Sequence, residues 1–563
     1  MVHSFARAYF VARKVLDDEL SAPSPQTSEN GTAPNVVEAT TSAPKKVGRT
    51  SMVSPSSKAT IHAQVKHHPS GSRSSIASHS VTPQYQNAAV RLLFREEPRL
   101  GWSPDQFNRL KPLPHNSAIG ALLQVNAGGR NDTRELVMGL DFGTSCTKVV
   151  IDDRQMQHRY AVPLVDAPGV GAYLLPARLN EHDGTYTLGD SGCAFTDLKL
   201  ALMASPQDDS VCARVCAYLA LVIRTSRSWL FTQHRNAFTG AEILWTLALG
   251  QPADQVSSIE SKQLFDQLGN VAWQLAASES DLRSENVLKL WQRRTDISNT
   301  DDVEVVVMPE MAAQIHGFVS SESFDSREAN IYLMVDVGAG TVDASIFRVK
   351  KDSAGTVSFS FFTNSVETYG VANLHRHRVA WWQKQLEKSE KGKSIISILE
   401  GIRLPTEYRG QFPESFRKYV LGVSVQLLNG GADPDNEFLQ LVRNQVAGRV
   451  MFKAWKEKYL TQSAISGIPF FLCGGGARHG LYKQLETKLQ HTPNASWMNA
   501  NRRALKLPSD LIAPGLPVAE YDRLSVAYGL SRLVPGQIKD APSMVSELLL
   551  PKTSDWRLNY IEK

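Results

Sequence analysis

One pattern constrains this chain more than any other: an apolar strand that ends in Asp, a turn rich in glycine and hydroxyl groups, and a second apolar strand. It occurs first at 137–151, with Asp141 at the end of the leading strand, and again at 331–347, with Asp336 in the same place. The turns read Gly-Thr-Ser and Gly-Ala-Gly-Thr. Such turns present backbone N–H groups and hydroxyls at close range, which phosphate oxygens require. Two of them from the two halves of a chain can face each other across a cleft and clamp one polyphosphate.

A third glycine-rich segment follows an apolar run late in the chain. Residues 469–473 lead directly into Gly474, Gly475 and Gly476, and Arg478 follows two positions later. Consecutive glycines allow the backbone to approach a flat ligand closely. A planar guanidinium beside them can stack on a base. The segment therefore indicates a place for the base of a nucleotide.

The first 133 residues differ in composition from the rest. Residues 21–90 contain 14 Ser, 7 Thr and 7 Pro, and we predict that this basic segment is disordered because it lacks the apolar surface that offsets backbone ordering. Residues 1–20 are predicted to form an amphipathic helix, and residues 91–133 a partly ordered lead-in. The helix is open to four interpretations: a docking helix, a membrane-surface helix, a transit-like peptide or a frayed terminus without a function. From Arg134 onward, apolar runs alternate with helical segments, which predicts an α/β architecture.

Composition and charge exclude several classes of protein. The 61 basic and 56 acidic residues give a net charge of only +5, which argues against a nucleic-acid partner. Five cysteines in 563 residues cannot form a disulfide framework, so we expect a reducing, cytoplasmic location. The longest wholly apolar run, Val215–Ile223, is far shorter than the roughly 20 residues that span a bilayer. We therefore expect no membrane span.

Taken in order, the three glycine-rich segments resemble the phosphate-1, phosphate-2 and adenosine motifs of the actin/Hsp70/sugar-kinase ATPase superfamily. Two further segments are similar to the connecting helices of that superfamily: Met308–Ala313, which contains Pro-Glu-Met-Ala-Ala, and Arg523–Leu530 near the end of the chain. The resemblance covers about Arg134 to Pro535 and is closest to the Hsp70 branch.

The resemblance implies a two-lobed actin-like ATPase fold of the α/β class. Each lobe would be a duplicated RNase-H-like mixed sheet with flanking helices, with the nucleotide in the interlobe cleft. Lobe I would cover 134–330 together with a second connecting helix at 519–535. Lobe II would cover 331–518, with an insert subdomain at about 379–444, and 536–563 would be a short tail.

The resemblance also implies a set of site residues for ATP and Mg²⁺. Asp141 and Asp336 would hold Mg²⁺ through water. Glu310 would orient the attacking water, Lys199 would stabilise charge on the transferred phosphate, and Thr341 would lie near the water. The phosphate-binding residues would be Gly143, Thr144, Ser145, Lys148, Gly338, Gly340 and Thr341. The adenosine-binding residues would be Gly474, Gly475, Gly476 and Arg478.

Two departures qualify the likeness to Hsp70. Lys148 stands where Hsp70 is usually not basic and resembles actin and some sugar kinases instead. Ala339 replaces a usual glycine and is compatible with the turn only if its φ is negative.

The function that this likeness implies is that of an Hsp70-like ATPase acting as a nucleotide-dependent conformational switch. We expect no classical peptide-binding domain, because only 28 residues, 536–563, follow the second connecting segment. We expect an unidentified protein partner, with residues 1–133 as the candidate binding segment. One alternative is an actin-like, ATP-dependent filament protein. The other is a small-molecule kinase, although the Glu310 segment lacks the Asp that sugar kinases use as a base.

Overall fold

The computed structural model describes residues 90–104, 111–125, 132–252, 258–297, 303–321, 323–353, 355–428, 433–492, 495–532 and the backbone of 538–540. All of them belong to one compact unit, Gln86–Lys563. The predicted helix at 1–20 and the Ser/Thr/Pro-rich segment up to residue 89 lie outside the described residues, as does most of the tail at 536–563. None of the helices in the described residues is long and apolar enough to cross a membrane.

The described residues form strands and helices in alternating groups. The strands are β1 (Val90–Leu100), β2 (Thr133–Phe142), β3 (Cys146–Asp153), β4 (His158–Ala161), β5 (Leu175–Pro176), β6 (Leu179–His182), β7 (Thr185–Thr187), β8 (Cys193–Phe195), β9 (Glu242–Gln251), β10 (Val303–Pro309), β11 (Ile331–Val337), β12 (Val342–Lys351), β13 (Val357–Glu367), β14 (Val420–Leu427), β15 (Ile468–Cys473), β16 (Ala500–Arg503), β17 (Leu511–Ile512) and β18 (Ile538–Asp540). The α-helices are α1 (Ser117–Ala121), α2 (Leu198–Ala204), α3 (Asp209–Gln233), α4 (Arg235–Phe238), α5 (Ile259–Ala276), α6 (Ser284–Gln292), α7 (Glu310–Val319), α8 (Val371–Leu386), α9 (Glu390–Gly401), α10 (Pro434–Arg443), α11 (Lys453–Lys456), α12 (Gln462–Ile465), α13 (Gly480–Lys483), α14 (Leu485–Gln490) and α15 (Ser525–Arg532). A π-helical segment, Asn444–Phe452, joins α10 to α11. Short 3₁₀ segments occur at Gly169–Tyr173, Arg294–Asp296, Phe416–Lys418, Gly475–Arg478 and Val518–Arg523.

The first large sheet has the strand order β10-β9-β2-β3-β4-β17, and β5 also pairs with β3. Strands β2, β3 and β4 form an antiparallel meander. On the other side of β2, β9 pairs with β2 in parallel and β10 pairs with β9 in parallel. The parallel strands are buried on both faces, which is why β2 reads as a nearly continuous apolar run from Leu136 to Phe142.

The second large sheet repeats this arrangement. Its order is β16-β15-β11-β12-β13-β18, with β11, β12 and β13 as the antiparallel meander and β15 and β16 added to β11 in parallel. The repeat of the Asp-Gly turn in the sequence is therefore a repeat of sheet topology. The predicted α/β class is confirmed.

Each sheet is covered by helices that bury an apolar face. Against the first sheet lies α3, whose residues are buried along most of its length. Its N-cap is Asp208, whose carboxylate accepts hydrogen bonds from the backbone N–H groups of Ser210 and Val211. The second sheet packs against α10 and the π-helical segment, with Phe470 and Val446 fully buried in their shared core.

Two helices, α7 and α15, pack closely against each other. A Cβ on Gly529 of α15 would lie 1.8 Å from the carbonyl oxygen of Ala313 in α7, so only glycine permits this approach. Their shared core contains Val137 from the first sheet and Met334 from the second. The two helices thus belong to a core to which both sheets contribute.

An insert between β13 and β15 has a core of its own. Trp382 of α8 and Leu399 of α9 are fully buried there. A two-stranded antiparallel sheet covers them, made by β14 and by β1, with Val90 opposite Leu427. The sequence predicts the insert at about 379–444 but carries no signal that part of the 91–133 lead-in is one of its strands.

Candidate functional site

The first hairpin, β2 and β3, ends in a turn that carries an ion pair. Asp141 and Lys148 lie opposite each other, and the ammonium of Lys148 donates a hydrogen bond to Oδ2 of Asp141 at 2.8 Å. The same ammonium lies against the turn, since a Cβ on Gly143 would be 3.2 Å from it. Burial lowers the pKa of Lys148, but the charges of Asp141 and Cys146 outweigh burial, so Lys148 stays protonated. A fixed cation therefore lies beside the Gly-Thr-Ser turn.

The turn of the second hairpin, β11 and β12, contacts the turn of the first. A Cβ on Gly340 would lie 2.8 Å from the methyl carbon of Thr144 and 3.4 Å from Cδ1 of Leu200. Among the described residues, no acceptor receives a hydrogen bond from the backbone N–H groups of Thr144, Ser145 and Gly340. Unpartnered N–H groups from two adjoining turns are a feature of anion sites.

The second turn is held by the beginning of α8. The backbone N–H groups of Val371 and Ala372 donate to the carbonyl oxygens of Gly338 and Ala339, at 3.1 and 2.9 Å. The side-chain amide of Asn373 donates to the carbonyl oxygen of Gly340 at 2.7 Å. Ala339 does not have a positive φ, which is the condition under which alanine fits this position. Inside the turn, Gly338 donates its N–H to the carbonyl oxygen of Thr341 at 2.9 Å.

Asp336 links the second hairpin to the third glycine-rich turn. Gly474 has a φ of +87°, and a Cβ there would be 2.0 Å from Oδ1 of Asp336. A left-handed backbone and this close approach both require glycine. Burial raises the pKa of Asp336 to about 6, and the nearby charges of Asp141 and Glu310 act in the same direction, against Lys148. The carboxylates of the two hairpins are therefore close enough to influence each other.

A second ion pair lies at the edge of this cluster. The ammonium of Lys199, near the start of α2, is 2.6 Å from Oε1 of Glu310, the first residue of α7. Both side chains are buried. Burial lowers the pKa of Lys199, but the charges of Glu310 and Asp141 raise it by more. Burial also raises the pKa of Glu310 against the opposing charge of Lys199. A Cβ on Gly250, near the end of β9, would collide with the side chain of Glu310, so the glycine leaves room for this carboxylate.

Arg478 lies in the 3₁₀ segment that follows Gly474. Its guanidinium is 2.7 Å from Oδ1 of Asp522 and 3.1 Å from an oxygen of Glu520. It also donates to the carbonyl oxygen of Gly474 at 3.1 Å. These bonds hold the guanidinium in place beside the glycine turn, and its stacking on a base stays a prediction.

The remaining predicted residues lie in the same turns. Gly475 and Gly476 begin the 3₁₀ segment, and a Cβ on Gly476 would meet the carbonyl oxygen of Gly338 at 2.9 Å. Thr341 lies at the end of the second turn, half-buried, and Ser145 is half-buried in the first. The structure thus brings together residues from all three glycine-rich segments, which are separated widely in the sequence.

Sequence reasoning missed several residues of this cluster. Gln314 donates from its side-chain amide to Oδ2 of Asp336 at 2.9 Å, and its own Oε1 is buried without a partner. The signal was its position four residues after Glu310 on a helix, which places both on one face. Thr406, from the loop after α9, donates to the carbonyl oxygen of Thr144 at 3.4 Å and also hydrogen-bonds Asp197. That contact has no local sequence signal.

The arrangement brings together three carboxylates, two ammonium groups and a set of unpartnered N–H donors: Asp141, Asp336 and Glu310, Lys148 and Lys199, and the backbone of the two turns. The described residues contain no group of three or more His, Cys, Asp or Glu side chains placed to hold a metal ion. Asp141 and Asp336 supply two carboxylates, which suits a hydrated Mg²⁺ held largely through its waters. The donors suit a large anion.

Comparison with known proteins gives no further assignment. The chain matches no protein-family model, and no curated protein matches it. The chemistry of the site is therefore inferred from its own residues.

Proposed function

We propose that this chain is an ATPase that binds ATP and Mg²⁺ between its two hairpin turns and hydrolyses ATP slowly, as an Hsp70-like conformational switch. The observation that carries the proposal is the contact between Gly340 and Thr144. Two turns of the same sequence pattern, on two sheets of the same topology, meet with unpartnered N–H groups. A polyphosphate is the ligand that such a pair of turns would hold.

The repeated sheet order supports a two-lobed actin-like arrangement. A meander with two parallel strands added is the pattern expected of an RNase-H-like sheet, and the close packing of α7 against α15 supports their assignment as the two connecting helices. Because α7 begins at Glu310, the ion pair at the site is joined directly to the helix that packs against Gly529. A shift between the two sheets would move this carboxylate relative to the hairpin turns.

The charges fit a bound Mg²⁺ and triphosphate. Asp141 and Asp336 would face the hydrated ion, which would supply charge neutralisation for the phosphate oxygens. Burial and the neighbouring carboxylates raise the pKa of Asp336 to about 6, so a cation bound beside it would stabilise its charged form. The buried, unpartnered Oε1 of Gln314 is an acceptor that a water of the hydrated ion would satisfy.

Glu310 and Lys199 are the residues that we assign to hydrolysis. Glu310 accepts hydrogen bonds and so orients a water for in-line attack, and Lys199 places a positive charge where phosphoryl transfer builds negative charge. Both act by position and electrostatics. Their burial strengthens each interaction, because the surrounding dielectric is low.

Isothermal titration calorimetry with Mg·ATP and a phosphate-release assay test the proposal directly. We expect saturable heat with Mg·ATP, weaker binding when Mg²⁺ is chelated, and slow, stoichiometric release of phosphate. Absence of any heat with Mg·ATP or Mg·ADP at millimolar nucleotide would overturn the proposal. Binding without phosphate release would leave a nucleotide-binding switch and remove the ATPase.

A further inference from the structure

We infer that Arg409 and Arg523 bind the diphosphate part of the nucleotide, so that the site retains ADP as well as ATP through two guanidinium groups to which the sequence motifs assign no role. This inference rests on the proposed function and names the residues that hold the α- and β-phosphates.

Arg409 reaches the first hairpin from the insert. It lies in the loop between α9 and β14, and its guanidinium is near enough to the thiol of Cys146, the residue after Ser145, for each group to shift the pKa of the other. Cys146 and Lys148 are two positions apart on β3 and so project from the same face of the strand. Arg409 therefore meets the hairpin on the face where Lys148 pairs with Asp141.

The guanidinium of Arg409 lacks a counter-charge. Its Nη2 is buried and has no hydrogen-bond partner. Within the described part of the chain Arg409 forms no ion pair with a carboxylate, and burial lowers its pKa. A buried cation of this kind is costly unless an anion pairs with it. A bound phosphate would supply that anion.

Arg523 approaches the same place from the other side. A Cβ on Gly475 would lie 3.1 Å from Cζ of Arg523, so its guanidinium lies against the third glycine-rich turn. Its nearest carboxylate oxygen, in Glu520, is 3.9 Å away and also pairs with Arg478 at 3.1 Å. Arg523 is thus only weakly neutralised within the described part of the chain.

Both arginines act on the thiol between them. Burial raises the pKa of Cys146, but the charges of Lys148, Arg409 and Arg523 outweigh burial and hold it below its usual range. Three cations from three separate segments therefore converge at the end of the first hairpin. The buried, unpartnered Nη2 of Arg409 and the position of Arg523 against Gly475 are consistent with such a cluster.

The place where these cations converge indicates which part of ATP they bind. In the proposed site the base lies at the third glycine-rich turn and the terminal phosphate lies at Lys199 and Glu310. Arg523 lies against Gly475, and its charge and that of Arg409 both act on Cys146 at the first hairpin. The atoms of ATP between base and terminal phosphate are the ribose and the α- and β-phosphates. A planar guanidinium can donate two parallel hydrogen bonds to two oxygens of a phosphate.

The test uses the full chain with Arg409→Gln and Arg523→Gln, and Arg403→Gln as a matched control from an exposed position in the same loop. Calorimetry with Mg·ADP, Mg·ATP and adenosine measures each part of the ligand. We expect each variant to bind ADP and ATP about 10-fold or more weakly, as loss of a charge-assisted hydrogen bond implies. Adenosine affinity should change by less than about 3-fold, because adenosine carries no phosphate for these guanidinium groups to bind.

Several outcomes separate this inference from the proposed function. A wild-type chain that binds neither ADP nor ATP overturns both. Wild-type binding together with unchanged ADP affinity in both Gln variants overturns the inference alone. An equal loss of ADP and adenosine affinity assigns the arginines a purely structural role and also overturns it. If a Gln variant does not fold, Arg409→Lys and Arg523→Lys keep the charge but lose the planar fork, and weaker ADP binding at wild-type thermal stability supports the inference, whereas unchanged binding rejects it.

Discussion

Lys199 and Glu310 form a buried ion pair with 2.6 Å between Nζ and Oε1, although they are 111 positions apart in the chain. One residue lies near the start of α2 and the other at the first position of α7. The pair therefore joins the segment after β8 to the helix that packs against α15. The proposed role of this ion pair in hydrolysis and its link to α7 therefore depend on the same contact between Lys199 and Glu310.

Replacing Glu310 with Gln should reduce ATP turnover by about 10-fold or more and leave Mg·ATP affinity within about 3-fold of the wild type. Glutamine keeps an oxygen that accepts from Lys199 but loses the charge that orients the attacking water. Phosphate release at saturating ATP, together with calorimetry, checks this. Unchanged turnover would remove Glu310 from the mechanism.

Replacing Glu310 with Ala should also destabilise the chain, by about 3–5 kcal/mol, because it leaves the buried ammonium of Lys199 without a partner. The double variant Glu310→Ala with Lys199→Met should recover much of this loss, since it removes the buried charge as well. Urea unfolding of the wild type and the two variants measures the difference. Equal stabilities of the single and double variants would contradict a buried ion pair.

Gly340→Ala should push the two hairpin turns apart. The new Cβ would lie 2.8 Å from the methyl carbon of Thr144, which is too close, so one of the two turns must shift. We expect a loss of about 1–3 kcal/mol in unfolding free energy and weaker Mg·ATP binding. Thr144→Ser removes that methyl and keeps the hydroxyl, so the double variant should recover most of both losses. Failure of Thr144→Ser to compensate would indicate that the turns do not meet.

Gly529→Ala tests the contact between α7 and α15. Its Cβ would lie 1.8 Å from the carbonyl oxygen of Ala313, which is backbone and cannot rotate away. We expect a destabilisation of about 3 kcal/mol or more, measured by urea unfolding. Gly401→Ala is the matched control, because a Cβ there has no atom within 4 Å, and it should be neutral or slightly stabilising. Equal effects of the two substitutions would exclude close packing at Gly529.

His316 of α7 should make the stability of the chain fall in acid. Burial lowers the pKa of this imidazole to about 4, against the opposing charge of Asp510, whereas in the unfolded chain its pKa is near 6.5. A depressed histidine pKa means that its contribution is fully present above pH 6.5 and is lost as the pH falls toward 4, by about 3 kcal/mol in all. His316→Gln should remove this part of the pH dependence. Parallel stability curves for wild type and variant between pH 4 and 7 would contradict it.

Much of this site could be predicted because its signals are local. Asp141 and Asp336 stand at the ends of apolar strands, and the Pro-Glu segment gives the start of α7 at Glu310, as the structure has it. The predicted second connecting helix begins at Ser525, after a 3₁₀ segment that holds Arg523. In each case a few neighbouring residues determine the turn, the strand or the cap.

The rest could not be predicted because it depends on contacts between distant segments. Strand β1 pairs with β14 across more than half of the described chain, and nothing near Val90 specifies that partner. Arg409 lies in an irregular loop whose path is set by burial of Leu404 and Phe412 against the second hairpin. Gln314 is a helix residue whose importance appears only when Asp336 is placed beside it.

The pairing of β1 with β14 limits how far the protein can be truncated from its N-terminal side. The sequence pattern suggests a boundary near Arg134, but a shortened form that begins there would lack one of the two strands over the core of Trp382 and Leu399. It would expose that apolar surface and leave β14 with an open edge, a known route to aggregation. The same loss would loosen the loop that carries Arg409. Recombinant versions for crystallography or binding work should therefore start upstream of Val90.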